Sequence, residues 1–284
     1  MDDLLQAAIE NHALLRAAED WSTEYSKDPV THAQLLKLEG KWELDLRRFF
    51  KEMASHAYDF INWSQYTNQK NADYNVDVIV NDDNIDDYDG QFIKVSFETV
   101  ATITAVGAQA GQTIYGINLG ITSVDQNVQK LAMDQVAGLV GKRVLPDGTI
   151  IDNPNPEYNV TNTVRKDIAQ SIKTSLGLGE NLQEATDRIS KVISDPMRAE
   201  RIARTESVNA YQRGLRQFAI QSGAVGKEWQ DAGAIDACAD NTAEGPVPVN
   251  FVYATGGTEP TAHVLCKCGI RYIYAQEWDS ISHE

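Results

Sequence analysis

Every cysteine of this 284-residue chain lies between Cys238 and Cys268, and one histidine stands among them: Cys238, then His263-Val-Leu-Cys266-Lys-Cys268. Thiolate and imidazole are ligands of tetrahedral zinc, so Cys238, His263, Cys266 and Cys268 form a candidate Cys3His site. Its Cys-x-Cys step is tighter than the usual two-to-four-residue separation. The same residues permit two other chemistries. A disulfide from Cys238 to Cys266 or Cys268 suits a particle released into an oxidising medium, although three cysteines cannot make a closed framework. A nucleophilic Cys266 or Cys268 activated by His263 requires an orienting carboxylate, and the spacing names none. No catalytic residue and no cofactor are therefore expected, structural zinc being the one alternative.

A second group of chemically capable residues shares one long helix. Asp195 as N-cap, Pro196 at the first helical position and Gly223 as the stop frame PMRAERIARTESVNAYQRGLRQFAIQS. At about 100° per residue, Arg204 falls into an apolar stripe with Val208, Tyr211, Leu215 and Phe218, and so needs a carboxylate partner. Glu206, about 160° away around the helix, cannot serve. Asp236 is the expected partner. Arg198 and Arg213 lie on the face of Glu206 and can bracket it. Arg198, Arg204, Glu206, Arg213 and Asp236 are expected to form a structural ion-pair network that locks the helix to a sheet.

The elements that must position these residues follow from periodicity. Leu4 to Ala18 reads as a short amphipathic helix. Leu35, Leu38, Trp42, Leu46, Phe49, Met53, Ala57 and Phe60 mark a longer one that starts at Asp28-Pro29. The two are expected to form an antiparallel hairpin around a Tyr25 to Val30 turn, with apolar faces left for another chain. Asn68 to Gly90, with Asp82, Asp83, Asp86, Asp87 and Asp89, reads as a solvated acidic loop. It fails as a calcium loop, because aligning Gly90 with the sixth position puts Ile85 first and Ser96 twelfth, where carboxylates are required.

Phe92 to Ala110 lacks turn residues and is expected to be helical, as is Val124 to Val140, followed by a tight turn at Leu145 to Gly148. Helices through Val164, Ile168 and Ile172, stopped at Gly177, and through Leu182, Ala185, Ile189 and Ile193 form a helix-turn-helix without the cations of a DNA reader. After Gly223 the period shortens. Glu228 to Gln230 around Trp229, Val249 to Tyr253 around Phe251, and Ile270 to Tyr274 predict a small antiparallel sheet. Ala237 to Pro248 and Gly256 to Val264 read as loops, and Trp229 and Phe251 as packing residues. The fold class is thus a mainly α N-terminal part and an α+β C-terminal module, a long helix on a small sheet. The expected segments are 1–67, 68–157 and 158–284.

Composition narrows the function. Lys plus Arg number 25 and Asp plus Glu 41, giving a net charge of −16 that opposes polyanions. Strong direct DNA binding and membrane insertion are not expected, and the acidic N-terminus lacks the pattern of a signal peptide, which predicts folding in a cytoplasm.

The run RIARTESVNAYQRG from Arg201 to Gly214, then Trp229, Asp236-Ala-Cys238, Phe251 and His263-x-x-Cys266-x-Cys268, resembles the Mu-type phage head morphogenesis (minor capsid) family. The matching residues span about 160 to 275. Two positions depart from the family pattern, Asn241 where a second cysteine often stands and Val264 where proline is usual. The resemblance implies a virion component in few copies, at the portal vertex or in the head interior, assisting head assembly or DNA delivery. Its partners would be portal and other capsid proteins, with self-association through the N-terminal helices, and it would be assembled in the host cytoplasm. Two other readings compete: a hydrolase-, nuclease- or transferase-like enzyme using Glu206, His263 and an arginine, and a zinc-stapled interaction module unrelated to phages.

Overall fold

The computed structural model describes residues 2–68, 75–122, 125–156, 159–233 and 237–281. In chain order these form α1 (Asp2–Ala17), α2 (Pro29–Ser55), α3 (Trp63–Asn68), α4 (Asp82–Tyr115) and α5 (Gln126–Leu139). A hairpin of β1 (Lys142–Val144) and β2 (Ile150–Asp152) leads to α6 (Val160–Leu178), α7 (Leu182–Ile193) and α8 (Pro196–Gln221). The chain continues with β3 (Gly226–Gln230), α9 (Ala237–Ala243), β4 (Val247–Pro248), β5 (Gly269–Ile273) and α10 (Ala275–Ile281). The expected fold class is what the chain adopts, helices first and small antiparallel sheets later.

Two compact units interleave along the sequence: unit 1 is 1–43, 99–132 and 201–284, and unit 2 is 44–98 and 133–200. This division is of a different kind from the consecutive segments 1–67, 68–157 and 158–284, because its cuts fall inside α2, α4, α5 and α8.

In unit 1 the three-stranded sheet has the order β4-β3-β5, antiparallel throughout, with Trp229 opposite Ile270 and Lys227 opposite Tyr272. Leu215 and Ala219 of α8 pack on Trp229, Tyr253, Ile270 and Tyr272 in one buried cluster that also holds all three cysteines. The expected helix-on-sheet layer is present. Asp28 accepts from the N–H groups of Val30 and Thr31, both at 3.2 Å, so Asp28-Pro29 starts α2 as read from sequence. The α1–α2 hairpin is antiparallel, turning through a short 3-10 helix at Thr23–Lys27.

Five sequence expectations need correction. The helix read from Leu35 to Phe60 ends at Ser55, and Ala57–Phe60 is a separate 3-10 turn after the non-helical His56. Val249 to Tyr253 is not a strand: the Val249 N–H still donates to the Val225 carbonyl at 2.9 Å, but the Phe251 N–H then turns back to the Pro248 carbonyl at 2.8 Å and ends the pairing. Ala237 to Pro248 is not wholly loop, because Ala237–Ala243 is helical. Gly177 lies within α6, and the helix ends at Gly179, whose φ of 69° is the left-handed C-cap. The acidic run 82–90 is not a loop but the start of α4.

That last change occurs within unit 2 and has a direct electrostatic cause. Arg165 of α6 bonds Asp82 at 2.5 Å and Asp86 at 2.6 Å. Asp89 accepts from Thr161 at 2.6 Å and pairs with Lys142 at 3.2 Å. Asp82 and Asp83 in the first turn also suit the helix dipole. Beneath them Ile85, Tyr88 and Phe92 are buried at helical spacing, with Phe49 and Phe60 around the Tyr88 ring. Phe92 to Ala110 continues the same helix, as expected.

Candidate functional site

The centre of unit 1 is the segment that enters β5. His263 is exposed, whereas Cys266 and Cys268 are buried, and Cys238 reaches them from the first turn of α9. The Cys266 N–H donates to the His263 carbonyl at 3.3 Å, closing a tight turn that puts Leu265 at φ 63°. A left-handed leucine is costly and persists only where its surroundings hold it. They do so here: the Leu265 N–H donates to Thr205 Oγ1 of α8 at 3.1 Å. The Lys267 carbonyl accepts from the Ser22 N–H at 3.2 Å, and the Cys268 carbonyl from the Tyr25 hydroxyl at 3.1 Å. Gln212 of α8 in turn donates to Tyr25 Oη at 2.9 Å.

This framing brings Cys238 Sγ to 3.7 Å from Cys266 Sγ. The ligand atoms of Cys238, His263 and Cys266 all lie within 4.8 Å of one another, and Cys268 is buried in the same core cluster. The Cys266 thiol pKa is held far down by hydrogen bonds from Cys238 and Cys268, and the Cys268 and Ala262 N–H groups assist against burial. Cys238, on the giving side of those bonds, is pushed up. None of the three thiols is in a disulfide. Trp229 is fully buried against Tyr253, with ring centroids 5.0 Å apart, and Phe251 packs half-buried on the same tyrosine.

The described residues give the following partners for the expected ion-pair network. Arg204 pairs with Glu19 at 3.0 Å, an acid from just beyond α1, while Asp236 lies outside the described residues. Glu19 sits on an additional cation, Lys267 at 3.4 Å, and also pairs with Arg16. Glu206 accepts from Asn209 at 3.0 Å, and Arg213 is half-buried on α8. Within unit 2, Arg198 bonds Asp167 at 2.5 Å and the Val192 and Ile193 carbonyls at 3.0 and 2.9 Å.

Two charged features were missed from sequence. Glu39, fully buried on α2, accepts from Arg16 Nε at 2.6 Å and lies 3.0 Å from His12 Nε2, both on α1. A signal was there, since Arg16 and Glu39 each interrupt the apolar stripe of a helix, and the two stripes face each other in a hairpin. Lys227 is the second. Its ammonium donates to the Phe251 and Thr258 carbonyls at 2.6 and 2.5 Å, tying the irregular segment after β4 to the sheet. Burial pushes Lys227 down to about 8, with Glu259 opposing, while the two carbonyls favour its charged form.

No protein family, curated protein or solved structure matches the chain.

Proposed function

We propose that this chain is a structural protein of a tailed-phage head: a minor capsid component of the head morphogenesis type, at the portal vertex or in the head interior. The supporting observation is convergence. Thr205, Trp229, Cys238, His263, Cys266 and Cys268 carry the resemblance from distant points in the sequence, and they meet in one frame around the turn at Leu265. The centre is packed, with the thiols and Trp229 buried, which is how a residue set is kept for shape. His263 Nδ1 meets the Val264 carbonyl at 2.9 Å, which fixes the imidazole to its own turn. The net charge of −16 suits a protein that works beside packaged DNA without adhering to it.

Docking on the portal is assigned to the outer face of α1. Leu4, Leu14 and Leu15 are 80%, 71% and 66% exposed, on the side opposite Ala13 and Arg16. Asp3 and Glu10 are exposed on this helix, and Arg16 is turned inward to Glu39. A second copy would set acid against acid, so the complement is an apolar surface with a basic rim. Changing Leu4, Leu14 and Leu15 together to serine is expected to abolish co-sedimentation of the full chain with the portal assembly while lowering its stability in urea by only about 1 kcal/mol, the helix-propensity cost of three exposed sites. Undiminished co-sedimentation of a folded triple variant would remove α1 from the account.

A further inference from the structure

We propose that Cys238, His263, Cys266 and Cys268 bind one Zn²⁺ ion as a closed Cys3His site that staples α9, the 263–268 turn and β5 together. The distances fit. A tetrahedral zinc with Zn–S of about 2.3 Å separates two sulfurs by about 3.8 Å, and Cys238 Sγ and Cys266 Sγ stand 3.7 Å apart. Two thiols in simple contact reach a similar distance, so the decisive point is what joins them. The His263 ligand nitrogen falls within 4.8 Å of both sulfurs, and Cys268, two residues from Cys266 and buried in the same core cluster, stands beside this group of three as its fourth ligand.

The surroundings supply what a metal site needs beyond its ligands. Because a carbonyl can only accept, the 2.9 Å contact to the Val264 oxygen puts the imidazole proton on Nδ1 and the lone pair on Nε2. A ligating histidine whose other nitrogen donates to a backbone carbonyl is the usual second layer of a metal centre. The turn from His263 to Cys266, with Leu265 left-handed, presents both ligands from one short loop. His263 is exposed while the three sulfurs are buried, which leaves the imidazole side open as the route of entry. Binding displaces the remaining thiol protons to solvent. With four protein ligands no position stays open for water, so the ion is structural.

A disulfide is the rival. It needs its sulfurs about 2.05 Å apart and would leave a buried thiol and the imidazole without a role.

The test uses the full chain purified under reducing conditions, stripped with a chelator and reloaded with Zn²⁺ or Co²⁺ alone. Elemental analysis and native mass are expected to give one zinc per chain. Cobalt is expected to show thiolate charge-transfer bands and the intense visible bands of a tetrahedral ion. His263→Ala removes an exposed side chain, so it should fold, and it is expected to lose about 100-fold or more in zinc affinity against a competing chelator. Cys266→Ser should lose the metal entirely. Absence of retained zinc, a cobalt spectrum without thiolate bands, His263→Ala binding as tightly as wild type, or an unreduced chain two hydrogens lighter would each overturn the proposal. Zinc content does not depend on entry into a phage head, so this inference and the head-protein reading can fail separately.

Discussion

Gly214→Ala is expected to cost the protein about 3–5 kcal/mol, at the upper end of what overpacking does. In unit 1, α4 and α8 cross with their backbones in contact. A Cβ on Gly214 would stand 1.8 Å from the Thr104 carbonyl oxygen, and one on Gly107 would stand 1.9 Å from the Tyr211 carbonyl oxygen. Neither obstacle is a side chain that can rotate away, so the helices must separate and lose packing along the whole crossing. Alanine's better helix propensity returns only about 1 kcal/mol. Gly90→Ala on α4 is the control, since nothing lies within 4 Å of its new methyl group, and it should be neutral or slightly stabilising. Urea titration of the three chains checks both. A Gly214→Ala midpoint equal to wild type would mean the crossing is looser than described.

Glu39→Gln is expected to cost about 2–4 kcal/mol, because it removes the fully buried one of the two carboxylates that meet the Arg16 guanidinium and leaves only the part-exposed Glu19 as countercharge. Arg16 is 4% exposed and Glu39 0%. Replacing both by apolar residues, Arg16→Met with Glu39→Leu, should recover most of the loss, and the double-mutant cycle should show a large coupling. The effect carries a pH signature. Burial acts to raise Glu39, but hydrogen bonds from His12 and Arg16 outweigh it and hold the carboxylate below its ordinary 4.5. Its stabilising contribution is therefore complete above that value and disappears as pH falls through the folded one. Glu19 is lowered too, with burial opposed by Arg16, Arg204 and Lys267, and so adds to the same acid loss. In Glu39→Gln the fall of stability with acid should be shallower than in wild type. Parallel pH profiles would place the pair outside the folding equilibrium.

Much of this architecture can be read from the chain, and the exceptions have physical reasons. The stripe from Leu35 to Met53 announces α2 because its repeat is local, and the Asp195-Pro196 start announces α8 in the same way. In α4 the buried series Ile85, Tyr88 and Phe92 has the same spacing, but five aspartates overlie it. Those acids become helical only because Arg165 and Lys142 meet them from elsewhere in the fold. Long-range pairing is what local spacing lacks. That Arg204 needs a carboxylate was legible, yet its partner Glu19 lies 185 residues away. The Cys238, His263, Cys266 and Cys268 set was legible as a set, because few residue types do its chemistry. The frame of Thr205, Ser22 and Tyr25 that shapes it was not.

The central claim is that this chain is a head component, and the most direct measurement is the protein composition of purified phage heads by quantitative mass spectrometry. The account predicts the chain in washed heads at a small, fixed number of copies relative to the portal protein. Its absence from heads that contain portal and major capsid proteins, with the whole pool soluble, would contradict it.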